Sequence, residues 1–277
     1  MSRRRRKNQD RRRADDFLAA WQAERLDQDR ALPLPARGPS EVTLLAYFVQ
    51  PRDRLEERFP RLECAVREAW RHCGLLRTVL VVDRESEPVR AFADSIPHGL
   101  VRVQVEPSLK PDRPETVAAD VNANLATRVS TNLVLSVRED AFPVRPGLAA
   151  YMDGLDFVGA PRARGGWWSR LVARLFNSHA MDGAFSLRTL RLARLVADEW
   201  AARHAGRPWR SSFDDGVYAT RTLPRASFAY RRAVRFPSPA EAAVFCYDAT
   251  GPAPSAVPPF GFRGAAAFKV LLDKGLV

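Results

Sequence analysis

Four short apolar runs, separated by stretches with helical spacing, constrain this chain more than anything else in it. EVTLLAYFV (41–49), RTVLVVDR (77–84) and NLVLSV (132–137) are mostly hydrophobic along their length, and VRVQVEP (101–107) has valine at every second position. A strand with one wet face alternates polar and apolar residues; a strand covered on both faces has no need to. ERFPRLECAVREAWRHCG (57–74) has helical periodicity and ends on Gly74, a residue suited to a C-terminal cap. PETVAADVNANLATRVST (114–131) places Val117, Val121, Leu125 and Val129 on one helical face. This alternation predicts an α/β domain with a mostly parallel sheet flanked by helices.

The second half is less regular. DFVGA (156–160) reads as a short strand, and 181–203 as a short strand running into a long helix. The 277 residues suffice for a single large domain with a sizeable core. Residues 41–277 are assigned to that domain. Residues 1–40 are expected to be a disordered basic tail, a short helix over 14–30 (Phe17, Trp21, Leu26) and the Pro/Gly linker ALPLPARGPS.

Charge enters the argument through its location. The net charge is +12, but residues 1–13 hold eight Arg or Lys against one Asp, so +7 of it lies there and +5 on the rest. Only four of the 44 basic residues are lysine. Such an arm is a solvated tail or a nonspecific contact to nucleic acid or anionic lipid. No apolar run approaches the roughly 20 residues that span a bilayer, and no apolar segment follows the basic start as in a secretory signal. Cys64, Cys73 and Cys246 have neither disulfide-framework nor zinc-site spacing, and the four histidines are scattered. Reduced thiols and a cytoplasmic location are the expectation.

In open parallel sheets, ligands bind outside the carboxyl ends of the strands. Asp83 ends the second apolar run and Arg138-Glu139-Asp140 ends the fourth. Acids at the end of a buried strand are costly unless paired or facing a site. Downstream lie Asp182-Gly183 and the adjacent acids Asp214-Asp215.

Five patterns, in order, carry a resemblance: Arg138-Glu139-Asp140-Ala141, Phe157-Val158-Gly159-Ala160-Pro161, Met181 to Arg188 (MDGAFSLR), Asp214-Asp215, and Phe260-Gly261-Phe262-Arg263-Gly264. The series resembles a glycosyltransferase-like family of otherwise undefined function, with a GT-A (Rossmann-like) nucleotide-diphospho-sugar transferase fold. The resemblance spans roughly residues 41–277. It implies transfer of a sugar from a nucleotide-sugar donor to a hydroxyl acceptor, in surface-polysaccharide or glycolipid synthesis. Asp140, with Glu139 as a second ligand, would hold a divalent cation, Mn²⁺ or Mg²⁺, that neutralises the leaving diphosphate. Asp215 would be the base that takes the acceptor proton, with Asp214 beside it. Asp83 would meet the nucleoside. Asp182, Gly183, Arg188 and Arg263 would line the donor, and Arg162 and Arg164 would sit on a lid over it.

Each assignment has a plainer alternative. Glu139 could simply pair with Arg138, Asp214-Asp215 could cap a helix, and Arg188 could serve an internal ion pair. The stretch Trp167–Phe176 is either core or a surface helix touching an anionic membrane. The chain also departs from the family pattern. Arg138 stands for Gln, Met181 for Gly, Asp182 for Asn, Ala184 for Gly, and Arg263 for a His that helps hold the metal in several GT-A enzymes. A guanidinium stays protonated and cannot ligate a cation. The rival readings are a catalytically inactive nucleotide- or carbohydrate-binding protein of the same fold, and a nucleic-acid binder using the Arg-rich arm.

Overall fold

The computed structural model describes residues 3–162, 180–204, 215–250 and 257–277. At its centre is a six-stranded sheet in the order β3-β2-β1-β4-β6-β5. The strands are β1 (Val42–Phe48), β2 (Arg77–Val82), β3 (Val101–Val105), β4 (Leu133–Val137), β5 (Phe157–Pro161) and β6 (Met181–Thr189). The first four pair in parallel, and β6 runs antiparallel between β4 and β5. The predicted α/β class with a mostly parallel sheet is what forms.

The near-continuous apolar strands are explained by two covered faces. Along β1, Val42, Leu44, Ala46 and Phe48 enter one core, with α2 (Leu55–Cys73) and α3 (Glu87–Asp94). Leu45 and Tyr47 enter another, with α4 (Glu115–Arg128) and α5 (Leu190–His204). The outermost strand, β3, is only partly covered and leaves Val105 44% exposed, as an edge strand does. Gly74 follows α2 at φ 79°, a left-handed conformation that costs glycine little. A second, two-stranded parallel sheet pairs β7 (Cys246–Asp248) with β8 (Gly261–Arg263). The C-terminal helix Ala265–Asp273 follows directly.

The amino-terminal region differs from expectation. Instead of a disordered arm and a short helix, one helix, α1, runs over Arg3–Ala31. Ala14, Leu18 and Leu26 are buried in the body of the protein. The Trp21 ring lies 4.8 Å from Phe268 and 6.2 Å from Phe142. The helix also meets α2 through hydrogen bonds between Gln22 and Arg61 and through ion pairs. Glu63 accepts from Arg30 Nε at 3.1 Å and Arg67 Nε at 2.8 Å, and Glu68 from Arg25 Nε at 2.8 Å. Burial of the second half fixes the helix, and arginine, a good helix former, lets it continue back through the basic segment.

Candidate active site at the carboxyl edge of the sheet

A cavity of about 400 Å³ opens where β1 and β4 end, bounded by Tyr47, Ser136, Arg138, Gly183 and Asp215, with Lys110 at its side. The acids that end β4 occupy a tight turn. Arg138 N donates to Ala141 O (2.9 Å) and Ala141 N returns to Arg138 O (3.0 Å), leaving Glu139 and Asp140 at the tip. The turn is held from both sides. Gln22 Nε2 of α1 donates to Glu139 O at 2.6 Å, and Gly264 N to Asp140 O at 2.7 Å. The Glu139 carboxylate accepts from Arg58 Nη1 at 3.2 Å. Burial pushes the Glu139 carboxyl up from its ordinary value, against the pull of Arg61 and Arg58. Asp140 is half-buried on the same turn.

Asp215 begins a helical turn, Asp215–Val217, that lies directly on β6. The fit explains two glycines. A Cβ on Gly183 would come within 2.4 Å of Asp215 Oδ2, and one on Gly216 within 2.4 Å of Gly183 N. Arg188 Nη2 donates to Asp215 Oδ2 at 2.7 Å and to Ser186 Oγ at 2.9 Å. Its guanidinium lies over the Phe157 ring at 5.0 Å. Ser186 Oγ donates in turn to Gly183 O at 3.1 Å. Arg188 is buried, so it serves Asp215 rather than an open phosphate site.

A second network lies beside the Glu139–Asp140 turn. Asp182 Oδ2 is met by Arg162 Nη2 at 2.6 Å and by Arg263 Nε at 2.7 Å, while Oδ1 accepts from Ala184 N at 2.8 Å. Arg263 Nη1 also donates to Asp248 Oδ2 at 2.9 Å. Burial works against the charge on Arg263, but Asp182, Asp248 and Asp140 outweigh it and hold the guanidinium protonated. The neighbouring Cys246 thiol is fully buried and pushed well up by burial and by the two aspartates, so it stays a thiol.

Of the residues expected from sequence, Asp140, Glu139, Asp182, Gly183, Arg188, Asp215, Arg162 and Arg263 gather at this edge of the sheet in two adjoining networks. Asp83 is bound by its neighbour Arg84 (Nε to Oδ2, 2.7 Å) and does not bound the cavity. Asp214, Arg164 and the Trp167–Phe176 stretch lie outside the described residues. Sequence reasoning missed Tyr47. Its hydroxyl donates to Asp120 Oδ2 at 2.7 Å, a carboxylate also held by Arg128 Nε at 2.8 Å and Asn124 Nδ2 at 2.8 Å. Burial and Asp120 push the Tyr47 phenol well up, so it presents a neutral, fixed ring to the cavity. A lone tyrosine in an apolar strand was the available signal.

The GT-A resemblance implies a divalent cation, and the Asp140 and Glu139 carboxylates on the turn after β4 are the residues that would hold it, one or two carboxylates sufficing beside a diphosphate. Among the described residues no group of three His, Cys, Asp or Glu side chains is placed to hold a metal ion. Glu139 is turned to Arg58, and Asp182 and Asp248 are covered by guanidinium groups.

No protein-family model matches the chain, and no curated protein matches it. Solved structures do. The galactosyltransferase LgtC, in complex with donor and acceptor sugar analogues, is 12% identical over 84% of this chain and 94% of that one, at a TM-score of 0.52. The mannosyltransferase PcManGT from Pyrobaculum calidifontis, in complex with GDP-Man and Mn²⁺, is 16% identical over 65% of this chain and 54% of that one, at 0.35. Ktr4p, a mannosyltransferase from S. cerevisiae, is 9% identical over 79% and 72%, at 0.39. The first match makes the fold GT-A-like; at such identity the likeness is one of fold alone. Among the described residues no helix is long and apolar enough to cross a membrane.

Proposed function

We propose that this protein is a glycosyltransferase that moves a sugar from a nucleotide-sugar donor to a hydroxyl acceptor, in surface-polysaccharide or glycolipid synthesis. The observation that carries the reading is Asp215, a carboxylate held over Gly183 at the wall of a cavity at the carboxyl edge of a GT-A-like sheet. Arg188 takes Oδ2 and so aims the group, leaving Oδ1 for an acceptor hydroxyl. In the transfer, the bond from the anomeric carbon to the donor phosphate oxygen breaks. A bond from that carbon to the acceptor oxygen forms, and the acceptor proton passes to Asp215. The nucleoside diphosphate leaves with the bonding electrons. Tyr47 offers its fixed ring to the nucleoside or sugar, and Lys110 and Arg138 place positive charge at the cavity. No step is routed through a metal ion.

Ion pairs occupying so much of the site also favour a second reading, an inactive nucleotide- or carbohydrate-binding protein of the same fold. One experiment separates the two. Purified protein is screened by thermal shift against UDP-, GDP-, CMP- and dTDP-sugars, then assayed for donor consumption with hydroxyl acceptors. A ligand that binds only the native state raises Tm. Binding with turnover that Asp215→Asn abolishes supports the transferase. Binding without turnover for any acceptor supports the binding protein, and binding of no nucleotide sinks the transferase and leaves only a carbohydrate-binding protein.

A further inference from the structure

The cavity at the carboxyl edge of the sheet carries positive charge that its own acids do not answer. Two carboxylates on its wall are met from behind by arginines, Glu139 by Arg58 Nη1 at 3.2 Å and Asp215 by Arg188 Nη2 at 2.7 Å. Two cations on the same wall, Arg138 and Lys110, have no ion pair among the described residues. Burial raises the Glu139 carboxyl, and Arg138 opposes this only from a distance, behind Arg61 and Arg58. Lys110 Nζ donates to one neutral acceptor, Pro107 O at 2.9 Å. Glu115, in the first turn of α4, is the remaining wall acid, so two cations face one uncommitted carboxylate.

Both cations stand on fixed backbone. Arg138 closes the turn with Ala141 through both its N–H and its C=O, at 2.9 and 3.0 Å. Lys110 N donates to Thr116 Oγ1 at 3.0 Å, and Lys110 O accepts from Arg113 N at 3.0 Å. Side chains alternate along a strand, so Val134, Ser136 and Arg138 share one face of β4. Leu45 of β1 pairs with Ser136 in register and shares a core with Val134, which makes this the α4 face of the sheet. Glu139 points the other way, to Arg58. Arg138 is thus exposed on the side of Tyr47, in the cavity that Asp215 also bounds.

The diphosphate of a donor would be neutralised at the Glu139–Asp140 turn by the cation those acids would hold. The sugar it carries must reach Asp215 and so lies beside Arg138. A neutral sugar there would strip water from unpaired cations and return nothing, which is costly. A carboxylate on the sugar would answer them, and the guanidinium fork matches a carboxylate in two-point contact.

We propose that Arg138, with Lys110, selects a donor whose sugar carries a carboxylate, a nucleotide-activated uronic acid. This rests on the transferase reading above, and the test separates the two. Titration calorimetry on the full chain in Mn²⁺ covers the diphosphates of uridine, guanosine, cytidine and thymidine. Each is compared as the free nucleotide, the neutral hexose conjugate and the matching uronate. The result expected is one nucleotide whose uronate binds about tenfold tighter than its hexose. The advantage should shrink with added salt, as pairing at an open site does. Arg138→Gln is expected to bring the ratio to about one, and Lys110→Gln to reduce it. Arg138→Lys, which keeps the charge and loses the fork, should retain part of the preference. The Arg138 side chain makes no hydrogen bond or ion pair among the described residues, so Tm without ligand should be unmoved in its variants.

Equal affinity for hexose and uronate overturns the inference while leaving the transferase reading intact. So does an Arg138→Gln variant that weakens hexose and uronate by the same factor, which would place the guanidinium on the diphosphate instead. If no free nucleotide or conjugate binds, the donor reading falls and this inference with it.

Discussion

Gly183→Ala is the most informative single substitution because two effects on it have opposite sign. Gly183 lies inside β6 and is not among the glycines with positive φ. By backbone entropy alone, alanine there should stabilise by about 0.5–1 kcal/mol. Sterically, the new Cβ would stand 2.4 and 2.5 Å from the two carboxylate oxygens of Asp215 and 2.7 Å from its Cγ. Ordinary contact begins near 3.4 Å, so the carboxylate must move by about 1 Å, for which overpacking typically costs about 1–3 kcal/mol. It cannot move freely, because Arg188 Nη2 holds Oδ2 at 2.7 Å and Arg188 is 5% exposed. Breaking that charge-assisted bond costs about 1.5–3 kcal/mol more. The net expectation is destabilisation of about 2–4 kcal/mol, or a Tm fall of about 5–12 °C at this chain length. On the base role proposed for Asp215, a displacement of about 1 Å should lose about a hundredfold in turnover. Urea melts of Gly183→Ala, Asp215→Ala and the double variant measure it. In the Asp215→Ala background the alanine should cost less by about 1–2 kcal/mol, the signature of two groups in contact. A stabilising Gly183→Ala, or one whose cost is the same with and without Asp215, refutes the packing argument.

Other expectations follow from the same contacts. Gln22→Ala removes the amide that donates to Glu139 O and accepts from Arg61 Nε at 3.0 Å. Because Gln22 is buried, stability should fall by about 1–3 kcal/mol in denaturant titration, and nucleotide affinity with it as the turn loosens. Asp120→Ala leaves Arg128, itself 8% exposed, without its main counter-charge and Tyr47 without its acceptor. A loss of about 3–5 kcal/mol is expected in the same assay. Glu139 has its carboxyl raised by burial, so the native state binds its proton more readily than the unfolded chain. Its penalty is therefore absent below the ordinary glutamate range and grows as pH rises through the raised value. Stability of Glu139→Gln should match the parent at the acid end and pull ahead toward neutrality. A parent-minus-variant difference independent of pH would remove that assignment.

How much could be read in advance depends on how local each feature is. β1, β2 and β4 were legible because double-sided burial writes itself into consecutive residues, β3 because its valines recur at every second position, and α2 and α4 from spacing within one segment. Helix α1 was not legible before Ala14. Its inward side mixes Leu18 and Trp21 with Gln22, Arg25 and Asp29, whose partners lie on another helix. The helix Pro239–Phe245 carried a readable start, the capping box of Ser238 and Glu241, that the apolar pattern alone passed over. At the site, the acids stood out as acids, but their partners did not. Glu139 meets Arg58 across 81 residues, Asp182 meets Arg162 across 20, and Asp215 meets Arg188 across 27. Pairing at such separations is a property of the fold, and it decides whether a carboxylate is available to a cation or already committed.

The docking of α1 changes where this domain begins. A gene trimmed to start at the proline-rich linker would look well designed from composition, with its arginine-rich lead removed and its first strand intact. It would strip Leu18 and Trp21 from Phe268 and Phe142, leave Glu63 without Arg30, and release the carbonyl of Glu139. Truncations, fusion junctions and protease sites therefore belong ahead of Ala14. A truncated chain that fails to bind nucleotide would report a damaged domain, not the binding capacity of the arm that was cut away.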